Sequence, residues 1–432
     1  MATKFYDKKI NVLAYCDSPT CATGFGTVSR NIFEGLFRTG RYNIDILGIN
    51  YWGDPHNFPY RIWPTGTNSE RDPYGRKKIA NMIAHANVKF DILFFLQDTF
   101  IMDFLPELMG FLKGKGAQYK SICYFPVDGT PKEKWIKNVN AVDYVVAYTE
   151  FGKRESEKAY ADCKDLLVIP HGVNTADFYP HPENAIKDFR QNYFGPNADK
   201  FIITNLNRNQ QRKDIPRTIH AFKEFQKEVP NSLLYLHMAK KDVGWDLPAV
   251  CESYGLSIRE DVVFPENFGP NQGYPREIVN MIYNSSDCVI STTVGEGWGL
   301  SWIEAMATRT PVIMPANTAM IENITEDKGY LVKSGTNSSL YTVIPHDNEV
   351  VRPIVDVEHM VETMLHIYNN YDEAREKAEN AYNWVISDLN WQTSVVPQWV
   401  KLFDQVYEDL QKGPEKIIKP GTGENILETE EF

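Results

Sequence analysis

Gly295-Glu296-Gly297-Trp298-Gly299-Leu300-Ser301-Trp302-Ile303-Glu304-Ala305-Met306-Ala307 is followed by Pro311-Val312-Ile313. A glycine-rich turn feeds a helical pattern, and an apolar β-branched run then returns, which is the turn, helix and strand of a βαβ unit. The helix N-terminus offers unpaired N–H groups to an anion. Glu296 stands in the turn and Glu304 in the second turn of the helix. Two carboxylates beside an anion site are poor phosphate ligands. They suit the hydroxyls of a sugar, while N–H groups and cations hold phosphate.

The same alternation extends in both directions. Towards the N-terminus the pattern predicts strands at Asn11–Cys16, Ile44–Ile49, Asp91–Leu96, Lys120–Phe125 and Tyr144–Tyr148, with helices at Val28–Arg38, Gly75–Ala86, Phe104–Gly114 and Lys132–Asn138. Around the quoted stretch it predicts strands at Phe201–Asn205, Leu233–His237, Val262–Phe264, Cys288–Ser291, Val312–Met314 and Tyr330–Val332, with helices that include Arg217–Glu228 and Leu300–Thr308. The expectation is an α/β protein of two doubly wound, Rossmann-like domains, residues 1–170 and 171–390, facing a central cleft. Ligands of such sheets bind beyond the carboxyl ends of the strands. The join falls at Ile169-Pro170-His171-Gly172-Val173-Asn174, where Pro and Gly interrupt the pattern. Trp399, Phe403, Val406 and Leu410 recur at helical spacing, so the stretch from Trp391 to about residue 412 is expected to be a last helix returning to the first domain. The Glu-, Gly- and Pro-rich residues 413–432 read as a disordered tail.

The chain has 432 residues, 43% hydrophobic and 24% charged, a composition that excludes a fibrous or wholly disordered protein. The formal charge is −12, which argues against a general nucleic-acid or anionic-membrane coat. Residues 1–170 carry 22 Lys and Arg against 19 Asp and Glu, so the acidity lies in the second half. Six cysteines without a Cys-x-x-Cys pair suggest reduced thiols. Residues 1–10 are polar and charged, and no window approaches the roughly 18–20 apolar residues of a membrane span. The expectation is a soluble protein of the cytoplasm, or of a host cytoplasm if viral.

Two further segments fall at strand ends. Thr23-Gly24-Phe25-Gly26-Thr27 follows the first strand and lets backbone N–H groups approach an anion or a sugar. A plain tight turn reads equally well there. Asn205-Leu206-Asn207-Arg208-Asn209-Gln210-Gln211-Arg212-Lys213-Asp214 follows the first strand of the second domain with cations suited to a diphosphate. A solvated basic loop is the alternative.

Glu296 and Glu304 are separated by seven residues, and the stretch between them resembles the E-x7-E signature of family 4 retaining glycosyltransferases of the two-Rossmann GT-B fold. His171-Gly172-Val173-Asn174-Thr175-Ala176-Asp177-Phe178 is similar to that family's interdomain NGVDxxxF segment, and Arg208 with Lys213 matches its GR....K spacing, with Asn207 in place of Gly. The resemblance implies that Arg208 and Lys213 neutralise a donor diphosphate, Glu304 binds ribose hydroxyls and Glu296 binds the donor sugar. The backbone of Gly297, Gly299 and Leu300 would hold phosphate or sugar oxygens, and Gly24 and Gly26 would close the site from the first domain. The implied reaction moves a sugar from a nucleotide-diphosphate sugar to an acceptor hydroxyl with retention. A UDP-sugar is the expected donor, with GDP- or ADP-sugar as alternatives, and no cofactor or metal is expected because no Asp-x-Asp pair occurs.

Many family members carry a His where this chain reads Tyr124-Phe125-Pro126-Val127-Asp128, so Asp128 and Asp98 are the candidates near the anomeric carbon, each also readable as a turn or cap residue. His171 reads as a hinge or packing residue, and Trp298 and Trp302 as core or cleft wall. The aromatic and basic stretch from Tyr51 to Lys78 could stack on bases, stack on sugars or pack as a core edge. The acceptor is therefore left among a glycan or lipid-linked sugar, a small molecule and a hydroxymethylated base in DNA. A catalytically silent nucleotide- or glycan-binding module is the reading from another class. Oligomeric state is not legible.

Overall fold

The computed structural model describes residues 8–66, 72–85, 89–269, 273–345 and 347–413. The predicted tail past Gly413, the end of the helix predicted to reach Ala86, and Arg71 of the aromatic and basic stretch lie outside the described residues.

The first half is a parallel sheet wrapped by helices. Its elements run β1 (Ile10–Asp17), α1 (Gly24–Arg38), β2 (Tyr42–Ile49), β3 (Arg61–Pro64), α2 (Arg76–His85), β4 (Ile92–Leu96), α3 (Leu105–Gly114), β5 (Lys120–Phe125), α4 (Glu133–Val139), β6 (Tyr144–Ala147), α5 (Glu150–Ala159) and β7 (Leu167–Val168). The strand order is β3-β2-β1-β4-β5-β6-β7. β1 and β4 are buried along their whole length, as the central strands of a sheet covered on both faces must be.

The second half repeats the plan: α6 (Glu183–Phe194), β8 (Phe201–Asn205), α7 (Ile215–Glu228), β9 (Ser232–Leu236), α8 (Leu247–Ser253), β10 (Val262–Val263), α9 (Arg276–Asn284), β11 (Cys288–Ile290), α10 (Leu300–Met306), β12 (Val312–Pro315), α11 (Met320–Asn323) and β13 (Tyr330–Val332). Its sheet order is β10-β9-β8-β11-β12-β13. A separate antiparallel hairpin, β14 (Tyr341–Val343) and β15 (Val351–Pro353), precedes α12 (Val357–Asn369), α13 (Tyr371–Asp388) and α14 (Val396–Gln411).

α14 lies on the first half. Trp399 packs edge-on against Phe94 of β4 and Tyr124 of β5, with ring centroids 5.6 and 4.6 Å apart. Asp404 receives Arg41 and the Tyr42 hydroxyl, each at 2.6 Å. The chain thus crosses between the halves twice, and the crossings run side by side: Val173 N donates to Leu389 O at 2.7 Å and Trp391 N to Val173 O at 3.1 Å.

Several expectations shift. α1 starts at Gly24 because the Thr23 hydroxyl accepts from Gly26 N at 2.9 Å and caps it. The last helix starts at Val396, after an irregular turn at Trp391–Val395 that the Asn390 side chain caps. The stretch from Tyr51 to Lys78 contains edge strand β3; Tyr51, Tyr60 and Ile62 are buried, while Trp52 is 62% exposed.

Candidate functional site

Both sheets present their carboxyl ends to one cleft. From the first come Asp17 at the end of β1, Asp98 after β4 and Asp128 after β5; from the second come Arg208, Arg212 and Lys213 after β8 and Glu296 after β11. Gly295 and Gly297 bring the edges together. A Cβ on Gly297 would sit 2.6 Å from Pro126 Cβ, and one on Gly295 would strike the Asp128 carbonyl oxygen. Only glycine fits a turn pressed so closely against the opposing backbone. Gly299, at φ +96°, then turns the chain into α10 over the face of Trp302.

Lys213 and Glu296 form a buried ion pair, Lys213 Nζ donating to Glu296 Oε1. The same oxygen receives the Thr293 hydroxyl at 3.0 Å, and Arg212 Nη1 lies 3.4 Å away. Burial by itself would raise the Glu296 carboxyl, but Lys213 and Arg212 outweigh it and hold the group down to about 2. Burial pulls Lys213 down from the ordinary lysine range, with the Glu296 carboxylate opposing it. Asp214, at φ +45° and ψ +49°, turns the chain from this pair into α7, a left-handed conformation that Asp tolerates better than most residues.

Arg208 stands elsewhere. Its side chain is 52% exposed and grips Asp242 with Nε–Oδ2 2.7 Å and Nη2–Oδ1 3.2 Å. The structure therefore brings Arg212, and not Arg208, beside Lys213. Arg212 also reaches the first half, with Nε 3.3 Å from Asp128 Oδ2, and donates to Gly295 O.

Glu304 lies on α10, where its carboxylate accepts from the Tyr283 hydroxyl at 3.0 Å. Burial pushes it up to about 7, with Arg276 opposing. Arg276 pairs with Asp177, which also accepts from Asn174 at 2.9 Å, so the interdomain segment borders the Glu304 site. Gly24 opposes α10, since a Cβ there would lie 3.8 Å from Leu300 Cδ1. Gly26 is walled in, since a Cβ there would lie 2.5 Å from Cys21 O and 2.9 Å from Ser18 O.

Asp98 is pushed up to about 7 by burial first and then by Asp128, against the pull of Arg212. Sequence reasoning passed over Asp17, a buried carboxylate that accepts from Thr23 at 2.7 Å and Gln97 at 3.2 Å and is raised by burial. It also passed over Arg352, which meets Asp128 from the β14–β15 hairpin, and Asp347, which holds Arg352 there. The position of Asp17 at the end of the first strand was the available signal; nothing local marked the other two. His171 is buried among Tyr124, Tyr148, Trp298 and Trp391. Its Nδ1 lies 2.8 Å from the Tyr124 hydroxyl, which donates to Ile169 O at 2.7 Å, so the ring is the donor in this network. Burial drops it to about 3, which keeps the ring neutral. Trp298 and Trp302 are likewise core.

Residues 187–344 match the family described as glycosyl transferases group 1. Among characterised relatives, alpha-monoglucosyldiacylglycerol synthase of Streptococcus pneumoniae is 26% identical over 197 residues, 43% of this chain and 40% of that protein. The glycosyltransferase EpsD of Bacillus subtilis, itself assigned provisionally, is 26% identical over 245 residues, 53% of this chain and 56% of that one. The chain spans about half the length of these relatives. Among solved structures, sucrose-phosphate synthase from Thermosynechococcus elongatus superposes with a TM-score of 0.73 at 18% identity, covering 93% of this chain and 100% of that one. Anabaena HepE, solved in complex with UDP and glucose, gives 0.67 at 15% identity over 92% of this chain and 100% of that one. Among the described residues no helix is long and apolar enough to cross a membrane. The match to the glycosyl transferases group 1 family covers residues 187–344, and the chain as a whole takes a GT-B fold of two facing Rossmann-like domains.

Proposed function

We propose that this protein is a glycosyltransferase that moves a sugar from a nucleotide-diphosphate sugar, a UDP-sugar in the first place, to an acceptor hydroxyl with retention at the anomeric carbon. The observation that carries the reading is the Lys213–Glu296–Arg212 cluster at the carboxyl edge of the second sheet, inside the family match and opposite the carboxylates of the first sheet. A diphosphate entering the cleft would take over Lys213 and Arg212, and Arg208 would swing in from its exposed partner Asp242. These cations stabilise the leaving phosphate as charge develops on it. Glu296, released from Lys213, accepts hydroxyls of the donor sugar. Glu304 accepts ribose hydroxyls from the second turn of α10. The complex of HepE with UDP and glucose supports a uridine donor.

The first domain takes the acceptor. Asp98 and Asp128 face the second-domain cations across the cleft and are the groups nearest the transfer. With its carboxyl pushed up to about 7, Asp98 exchanges a proton near neutral pH and orients the acceptor hydroxyl. The departing phosphate takes the acceptor proton on the same face, through an oxocarbenium-like state.

The test is a thermal-shift panel of UDP, GDP, ADP and their sugars, followed by transfer assays with the labelled donor and acceptors that include neutral glycosides, glycolipids and hydroxymethylated DNA. A ligand at a hundred times its Kd adds roughly 2.7 kcal/mol of stability. A selective shift with one sugar nucleotide and transfer with retained anomeric configuration is the expected outcome. Binding without transfer to any acceptor would favour a silent binding module.

A further inference from the structure

The β14–β15 hairpin belongs to neither main sheet, yet it carries a deeply buried charge: Arg352 on β15 is 2% exposed. Its Nε bonds Asp347 Oδ2 at 2.8 Å, and its Nη1 lies 3.1 Å from Asp128 Oδ1 and also donates to the Asp128 main-chain oxygen. Two glycines clear its path, since a Cβ on Gly129 would stand 2.7 Å from Nη1 and one on Gly295 3.0 Å. Lys132, in the loop ahead of α4, grips the same hairpin by donating to Asn348 O, with the Glu349 carboxylate 4.0 Å away. The loop after β5 is thus held from the second domain on both sides.

Asp128 receives two arginines, Arg212 from the loop after β8 and Arg352 from the hairpin, and both belong to the opposite domain. The Arg352 guanidinium bonds two oxygens of one residue and a third on Asp347. That fixes orientation as well as position, which a lysine's point charge does not. An arginine this buried is costly without its partners, and because Asp128 lies in the other domain, parting the domains would strip Arg352 of two of its three acceptor oxygens.

We propose that Arg352 is a positioning residue: from the β14–β15 clasp it holds Asp128 and the closed cleft in the arrangement that sugar transfer uses. The kinetic part rests on the glycosyl-transfer reading; the closure part does not. The test is Arg352→Met and Arg352→Lys, with kcat and donor KM measured separately and the radius of gyration taken by small-angle scattering. Because displacing reacting groups by about 1 Å costs on the order of 100-fold, Arg352→Met should lose kcat on that scale while donor KM stays within about threefold. Lys should recover part of the loss, and the radius of gyration should rise in the Met variant. Should Arg352→Met not fold, Asp347→Asn, which loosens only the Nε anchor, should lower kcat in the same direction by a smaller factor. A folded Arg352→Met with wild-type kcat overturns the positioning role, whatever its shape, and an unchanged radius of gyration overturns the clasp. If the wild type transfers no sugar, the glycosyl-transfer reading fails while scattering still decides the clasp.

Discussion

Arg212 bridges the two halves of the molecule through Asp128: its Nε lies 3.3 Å from Asp128 Oδ2 while its Nη1 lies 3.4 Å from Glu296 Oε1. One guanidinium therefore connects the carboxyl edges of both sheets, and the groups assigned to donor and acceptor are electrostatically joined.

Glu296 is assigned to the donor sugar, so Glu296→Gln should cut turnover by about 100-fold or more, the scale of losing one preorganised polar contact in a transition state. UDP binding, which does not involve the sugar hydroxyls, should survive. Paired kcat measurements and UDP thermal shifts check this; an unchanged kcat would remove Glu296 from the reaction.

Arg208 and Arg212 should separate by stability. The exposed Arg208–Asp242 pair is of the kind worth about 0–1 kcal/mol, so Arg208→Ala should melt close to wild type yet bind a sugar nucleotide more weakly. Arg212→Ala leaves Asp128 and Glu296 each short of a cation and should lose both stability and donor binding. Melting curves with and without UDP give both readings.

Glu304 ionises with difficulty, its carboxyl raised to about 7 against an ordinary 4.5. A folded-state value above the unfolded one favours the folded chain at low pH, and that advantage drains as pH climbs from about 4.5 to about 7. Glu304→Gln keeps the shape without the charge. Its melting temperature relative to wild type should therefore rise between pH 5 and pH 8, and a difference that stays flat would contradict the raised value.

Trp399 ties the last helix to the first domain through Phe94 and Tyr124. Trp399→Ala should cost about 3–5 kcal/mol, the range for a buried large aromatic. Denaturant melts followed by separate probes in each half should show the first domain losing stability more than the second.

The two-domain α/β architecture was legible because short, mainly apolar runs, such as those of β1, β4, β5, β8 and β11, alternate with helical patterns. β3 was not, because Arg61-Ile62-Trp63-Pro64 buries only Ile62 at a sheet edge and ends in proline. β14 was not either, since Tyr341 and Val343 are exposed and its residues carry no inward alternation. At the site, spacing singled out Glu296, Glu304 and Lys213. The resemblance's GR....K spacing points to Arg208, and a spacing does not reveal which way the loop turns: Arg212 stands beside Glu296 with Lys213, while Arg208 pairs with Asp242. Arg352 lies 224 residues from Asp128, and a single arginine on a short strand carries no local sign of so distant a partner.

The most direct test of the donor site is calorimetric titration of UDP into the wild type and into Lys213→Met. If Lys213 gives up Glu296 to hold the diphosphate, the wild type binds and the variant, still folded through Arg212, binds at least about tenfold more weakly, a difference of roughly 1.4 kcal/mol. Equal affinities in the two proteins would contradict a diphosphate site at Lys213.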